Sequence, residues 1–210
     1  MIREPMTFEE AAGRLVDVGR RFDGRGWVLG TSGNFSLVLS DEPLRLAMTP
    51  SGAFKGELTP GGIVEVDGAG KPVAGRPARP SAEARLHLEI ARLRSAGAVL
   101  HTHSVWSTLL SDRHAGAQGL AIEGFEMLKG LAGVSTHAHK EWVPILENDQ
   151  DMERLAAEVA DTLNRHPAAH AFLLRRHGMY TWGDTLSDAI RHVEIMEFLL
   201  EAVGRDHHGP

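Results

Sequence analysis

Ala98-Val99-Leu100-His101-Thr102-His103 is a short apolar run that ends on two histidines one residue apart. A run of this length bounded by polar residues reads as a buried strand. Residues i and i+2 of a strand share a face, so both imidazoles point one way and Thr102 points the other. Such a pair supplies two of the three protein ligands that a catalytic zinc needs, the fourth position going to water or substrate. A pair of hydrogen-bonded histidines at a strand end is the competing interpretation, and the spacing alone leaves both open.

The search for a third ligand leads to Arg175-Arg176-His177-Gly178, at the end of the apolar strand Ala171–Leu174. This placement puts His177 at a sheet edge, where it can converge with the first pair, although a lone His before Gly is by itself a turn residue. His137-Ala138-His139 repeats the H-x-H spacing without a clear strand around it. His87, His114, His166, His170 and His192 have no partner spacing and read as structural, while His207 and His208 belong to a polar tail. Twelve histidines in 210 residues favour a metal site without locating it. Cysteine is absent, so disulfides, thiolate ligands and a Cys nucleophile are excluded, and any metal must bind His nitrogen or carboxylate oxygen.

The formal charge is −6 and Lys and Arg do not cluster, so no nucleic acid or anionic membrane is expected as partner. No apolar run approaches the roughly 20 residues that span a bilayer, and the start, MIREPMTFEE, lacks the apolar stretch of a signal peptide. A cytoplasmic location is the expectation.

Further out, Thr7 and Glu10 form a capping box ahead of Phe8, Ala11, Leu15, Val18 and Phe22, which predicts a helix from 7 to about 23. Phe35, Leu37 and Leu39, then Leu44, Leu46 and Met48, alternate around Asp41–Pro43 and predict a hairpin. Ile63–Val66 reads as a strand and 68–80 as a surface loop. Helices are expected over 81–95, over a stretch carrying Met152 to Leu163, and from Leu186 to Leu200, with strands at Ala171–Leu174 and Met179–Trp182. Strands bracketed by helices at both ends suggest one layered α/β domain over 1–210, its core at about 8–203.

Small residues form a second theme. Gly30-Thr31-Ser32-Gly33-Asn34 and Thr49-Pro50-Ser51-Gly52 bring backbone amides within reach of a ligand. Ser81 follows Pro80 at a helix start, a natural anion position. Each alone is an ordinary turn or cap; together, beside a candidate metal site, they suggest a phosphate cradle.

The ordered set T-S-G-N-F-S, T-P-S-G, R-P-S-A-E, V-L-H-T-H-S and R-R-H-G resembles the class II aldolase and adducin-head family over nearly the whole chain. The resemblance implies a three-layer α/β/α fold with a mixed, mostly antiparallel central sheet. It also implies one Zn2+ per subunit on His101, His103 and His177, and substrate phosphate on Gly33, Asn34, Ser51, Gly52 and Ser81. Adducin-like heads lack the complete zinc set that this chain retains. Ala82 replaces the second Ser of the aldolase P-S-S-E pattern, removing one hydroxyl donor. The segments Glu123–Gly130 and Val143–Asn148 resemble the methylthioribulose-1-phosphate dehydratase branch of methionine salvage, which implies Glu126 as acid/base. Glu83, in the P-S-x-E position, is the alternative, and belongs with an aldolase or epimerase acting on another sugar phosphate. Without the resemblance, Glu126 is a solvated helix residue and Glu83 a first-turn residue favoured by the helix dipole. The family also implies a homotetramer with sites near subunit contacts.

Overall fold

The computed structural model describes residues 6–73 and 79–206. His207, His208 and part of the expected 68–80 loop lie outside the described residues. Eight strands form one sheet in the order β3-β2-β1-β4-β8-β7-β6-β5. They are β1 Asn34–Asp41, β2 Leu44–Met48, β3 Val64–Asp67, β4 Ala98–Thr102, β5 Gly119–Glu123, β6 Lys140–Leu146, β7 Ala171–Leu174 and β8 Gly178–Gly183. Every pairing is antiparallel except β6 with β7. The sheet is therefore mixed and mostly antiparallel.

Five α-helices cover it: α1 Phe8–Asp23, α2 Ala84–Arg94, α3 Val105–Arg113, α4 Met152–Arg165 and α5 Leu186–Asp206. Side chains alternate across a strand, and β4 shows the division. Ala98 and Leu100 join the core built with α1, α3 and α5, while Val99 joins the core built with α2 and α4. This gives the three layers. Thr7 caps α1 as the sequence predicts: its hydroxyl accepts from the Glu10 amide and its own amide donates to the Glu10 carboxyl.

Four elements differ from the sequence expectation. Helix α2 begins at Ala84 rather than Ser81, because the Ser81 hydroxyl accepts the Glu83 amide and holds 81–83 in a turn. Strands β5 and β6 and helix α3 were not expected. His177 sits not at a sheet edge but on the turn between two interior strands, β7 and β8.

Candidate active site

The period-2 alternation carries directly into the site. His101 and His103 face the α2 side, and Thr102 points to the opposite layer, where its hydroxyl donates to Glu197 of α5 (2.8 Å). β4 pairs with β8, setting His101 opposite Tyr180, and the His101 ring stacks on Tyr180 at 3.9 Å between centroids. A backbone carbonyl only accepts, so His101 Nδ1–H donates to Met179 O (3.0 Å) and Nε2 keeps its lone pair. His103 Nε2 lies 2.8 Å and His177 Nε2 3.4 Å from His101 Nε2.

His177 is delivered by the β7–β8 turn, and the two arginines before it explain why that turn holds. Arg175 Nε and Arg176 donate to the two carboxyl oxygens of Asp112 on α3, each at 2.8 Å. The Arg176 amide donates to Ser111 (3.0 Å) while Arg176 takes a left-handed conformation (φ 54°). Gly178 follows because nothing larger fits: a Cβ there would lie 2.1 Å from Thr102 O and 3.1 Å from atoms of His101 and His103.

One ring nitrogen from each histidine falls within 4.8 Å of the others, the sole such group among the described residues. Burial is the main force that lowers all three histidine pKa values, His101 well below the ordinary value and His103 to about 3. Neutral imidazoles with converging lone pairs are the donor set that a divalent ion of the zinc type accepts. The three residues therefore fit a metal.

Glu83 stands against this cluster. Its carboxyl oxygens lie 3.6 Å from His101 Nε2 and 3.5 Å from His177 Nε2. It is the terminus of a buried chain of hydrogen bonds. Asn34 Nδ2 donates to Glu83, so Asn34 Oδ1 accepts from His87 Nε2–H, and His87 Nδ1 accepts from Ser36 (2.7 Å). Burial holds His87 at about 4, hence neutral.

A cleft of about 450 Å³ opens from the cluster and is lined by Gly33, Asn34, Ser51, Gly52 and Ser81, together with Glu83, His103 and His177. All five cradle residues thus border one space with His103 and His177. Gly33 has φ +71°, and a Cβ on it would lie 2.7 Å from His101 O, so the cradle loop is pressed against the ligand strand. Glu126 is elsewhere. It begins a short 3-10 turn, Glu126–Gly130, is 73% exposed, and bonds Lys129 (2.6 Å) with His137 at 3.9 Å. His139 is also outside the cleft, bonded to the buried Glu141 (2.8 Å).

Sequence reasoning missed Lys55, Asn148 and Gln150, which also line the cleft. Asn148 was within reach, since it ends the V-P-I-L-E-N segment. Lys55 carries no such mark, since it is a single Lys and Phe54 before it is exposed.

Among solved structures, the fold is similar to YgbL of Klebsiella pneumoniae, with a TM-score of 0.79 and 28% identity, covering 95% of this chain and 91% of that one. The L-fuculose-1-phosphate aldolase of Thermus thermophilus shares the fold at a TM-score of 0.73 and 24% identity, covering 95% and 96%. Curated relatives include the methylthioribulose-1-phosphate dehydratase of Methylococcus capsulatus, 49% identical over 95% of this chain and 96% of the relative. That of Parvibaculum lavamentivorans is 44% identical over 94% of both. Residues 13–203 match the Class II Aldolase and Adducin N-terminal domain, and the chain belongs to that family.

Proposed function

We propose that this chain is a hydro-lyase that dehydrates 5-methylthioribulose 1-phosphate to the 2,3-diketo-5-methylthiopentyl 1-phosphate of methionine salvage. The observation that carries the reading is a three-histidine cluster opening into a cleft lined by small polar residues, in a chain 49% identical to a dehydratase of that name. A divalent ion on His101, His103 and His177, read as Zn2+, would supply Lewis-acid polarisation of the substrate's carbonyl oxygen. Gly33, Asn34, Ser51, Gly52 and Ser81 would bind the phosphate by amide and hydroxyl donation.

The remaining chemistry is proton traffic. One proton leaves C3, the C4 hydroxyl departs as water once protonated, and the enol tautomerises to the diketone. Glu83 is the carboxyl that the chain places in its own cleft. Glu126, the acid/base implied by resemblance, does not line that cleft, so its role requires a second copy to present it. That reading goes with a homo-oligomer, proposed as a tetramer in the cytoplasm, with no nucleic acid or membrane partner.

The test is product analysis with methylthioribulose 1-phosphate: diketone phosphate supports the dehydratase, and C–C cleavage or epimerised substrate overturns it. Mixing inactive His101→Ala and Glu126→Gln chains tests the shared site. Activity regained in mixed assemblies places Glu126 across a contact; a dead mixture keeps it with its own chain's site, and a Glu126→Gln chain that is active by itself leaves the role to Glu83.

A further inference from the structure

Lys55 opens a short 3-10 turn, Lys55–Glu57, just beyond the Thr49–Gly52 loop. It is 1% exposed, and its Nζ donates to Thr31 O (2.9 Å) and Ala53 O (2.8 Å). Thr31 belongs to the first small-residue loop of the cradle and Ala53 follows the second, so the ammonium stands where the two meet. An ammonium carries three N–H donors. Two are used by these carbonyls, and one remains on a residue that borders the cleft.

Among the described residues, no other Lys or Arg lines this space. Ser51, Ser81 and the loop amides are neutral donors, whereas a sugar phosphate carries nearly two negative charges. A buried ammonium is costly without an anion: burial presses the Lys55 pKa down to about 8, with Glu83 acting in the opposite sense. Glu83 does not serve as its bonded partner, since its carboxyl is engaged by Asn34 and lies against His101 and His177.

We propose that Lys55 is the cationic phosphate-binding residue of this cleft, its third N–H donating to a phosphate oxygen of the substrate. The proposal rests on the sugar-phosphate reading above and adds a residue and a charge to it.

Competition by inorganic phosphate tests it. Phosphate inhibits the wild-type protein competitively, and Lys55→Met weakens that inhibition by about 10- to 100-fold, the range for a charge-assisted hydrogen bond. KM for the phosphorylated sugar rises by more than kcat falls, and Lys55→Arg recovers part of the loss. Melting temperature and metal content are followed in parallel. If Lys55→Met melts early, Lys55→Gln takes its place, because its amide still donates to the carbonyls without the charge. Wild-type phosphate inhibition in both uncharged variants, with a shifted pH profile of kcat, would mean the ammonium serves Glu83 and would overturn the proposal. A wild-type protein indifferent to phosphate would overturn the cradle and Lys55 together.

Discussion

At Glu83 the side chain is fixed by Asn34, which His87 and Ser36 fix in turn, so its carboxyl has one orientation toward His101 and His177. Glu126 has a single strong partner, the exposed Lys129. A group that transfers a proton in the transition state affects turnover more than ground-state binding. Replacing the acid/base by Gln should lower kcat by about 100- to 10,000-fold with metal retained. Glu126→Gln is expected to show this loss, with Glu83→Gln acting mainly through KM or stability; measuring kcat, KM and metal occupancy for both decides. A dead Glu83→Gln beside a healthy Glu126→Gln reverses the assignment and favours aldolase-like chemistry. Gly178→Ala makes a sharper test of packing. Its Cβ would collide with the Thr102 carbonyl between His101 and His103, so the variant should lose metal and melt earlier, in calorimetry and metal analysis alike.

Among the elements, the β7–β8 turn bears the greatest demand, because it must bring His177 to a histidine 76 positions earlier in the chain. Asp112 of α3 grips both of its arginines. Asp112→Ala should therefore weaken metal binding by about 10- to 100-fold, as loss of supporting contacts does at other sites, although Asp112 touches no ligand; a competition titration with a chelator reads this. An unchanged affinity would show that the turn holds itself. The H-x-H pair was legible in the sequence because strand alternation is local and needs no partner. The grip of Asp112 was not, since nothing in S-D-R-H marks a carboxyl that meets both arginines of R-R-H-G from another element. Helix α3 escaped notice for a related reason: Val105 and Leu109, one turn apart, share a face that is exposed and not buried. Strand β6 carries Pro144, which argues against an interior strand. Here Pro144 pairs with Gly119 at the far end of the sheet, next to edge strand β5. The cradle loops were legible as small-residue clusters, but Lys55 was not, because a single Lys reads as surface charge until burial is known.

At the scale of the whole molecule, Thr102 of β4 and Glu197 of α5 tie the sheet to one of its two helical layers. Burial pushes the Glu197 carboxyl up to about 7, against partial relief from the Ser104 and Thr102 hydroxyls. The folded chain thus binds a proton that the unfolded chain has released between pH of about 4.5 and 7, so stability falls as pH rises through that window and then levels off. At roughly 1.4 kcal/mol per unit, the cost reaches about 3 kcal/mol above the window. Glu197→Gln should therefore melt higher than wild type at pH 8 and lose most of that advantage at pH 5. An equal difference at both pH values would show that titration plays no part.

The ligand set has a consequence of another kind. His101 and His177 are 76 positions apart and meet only once β4 has zipped onto β8, whereas the β1–β2 and β7–β8 hairpins close over a few residues. Bridging so wide a span is entropically slow, and short-range pairings run ahead of it. An ion captured by all three imidazoles can then grip only a chain whose long-range register already exists. It should act as a latch and not as a nucleus: stopped-flow refolding should run at the same rate with Zn2+ or with chelator, while unfolding slows in the metal's presence. Faster refolding with metal would mean the latch engages before the register is made.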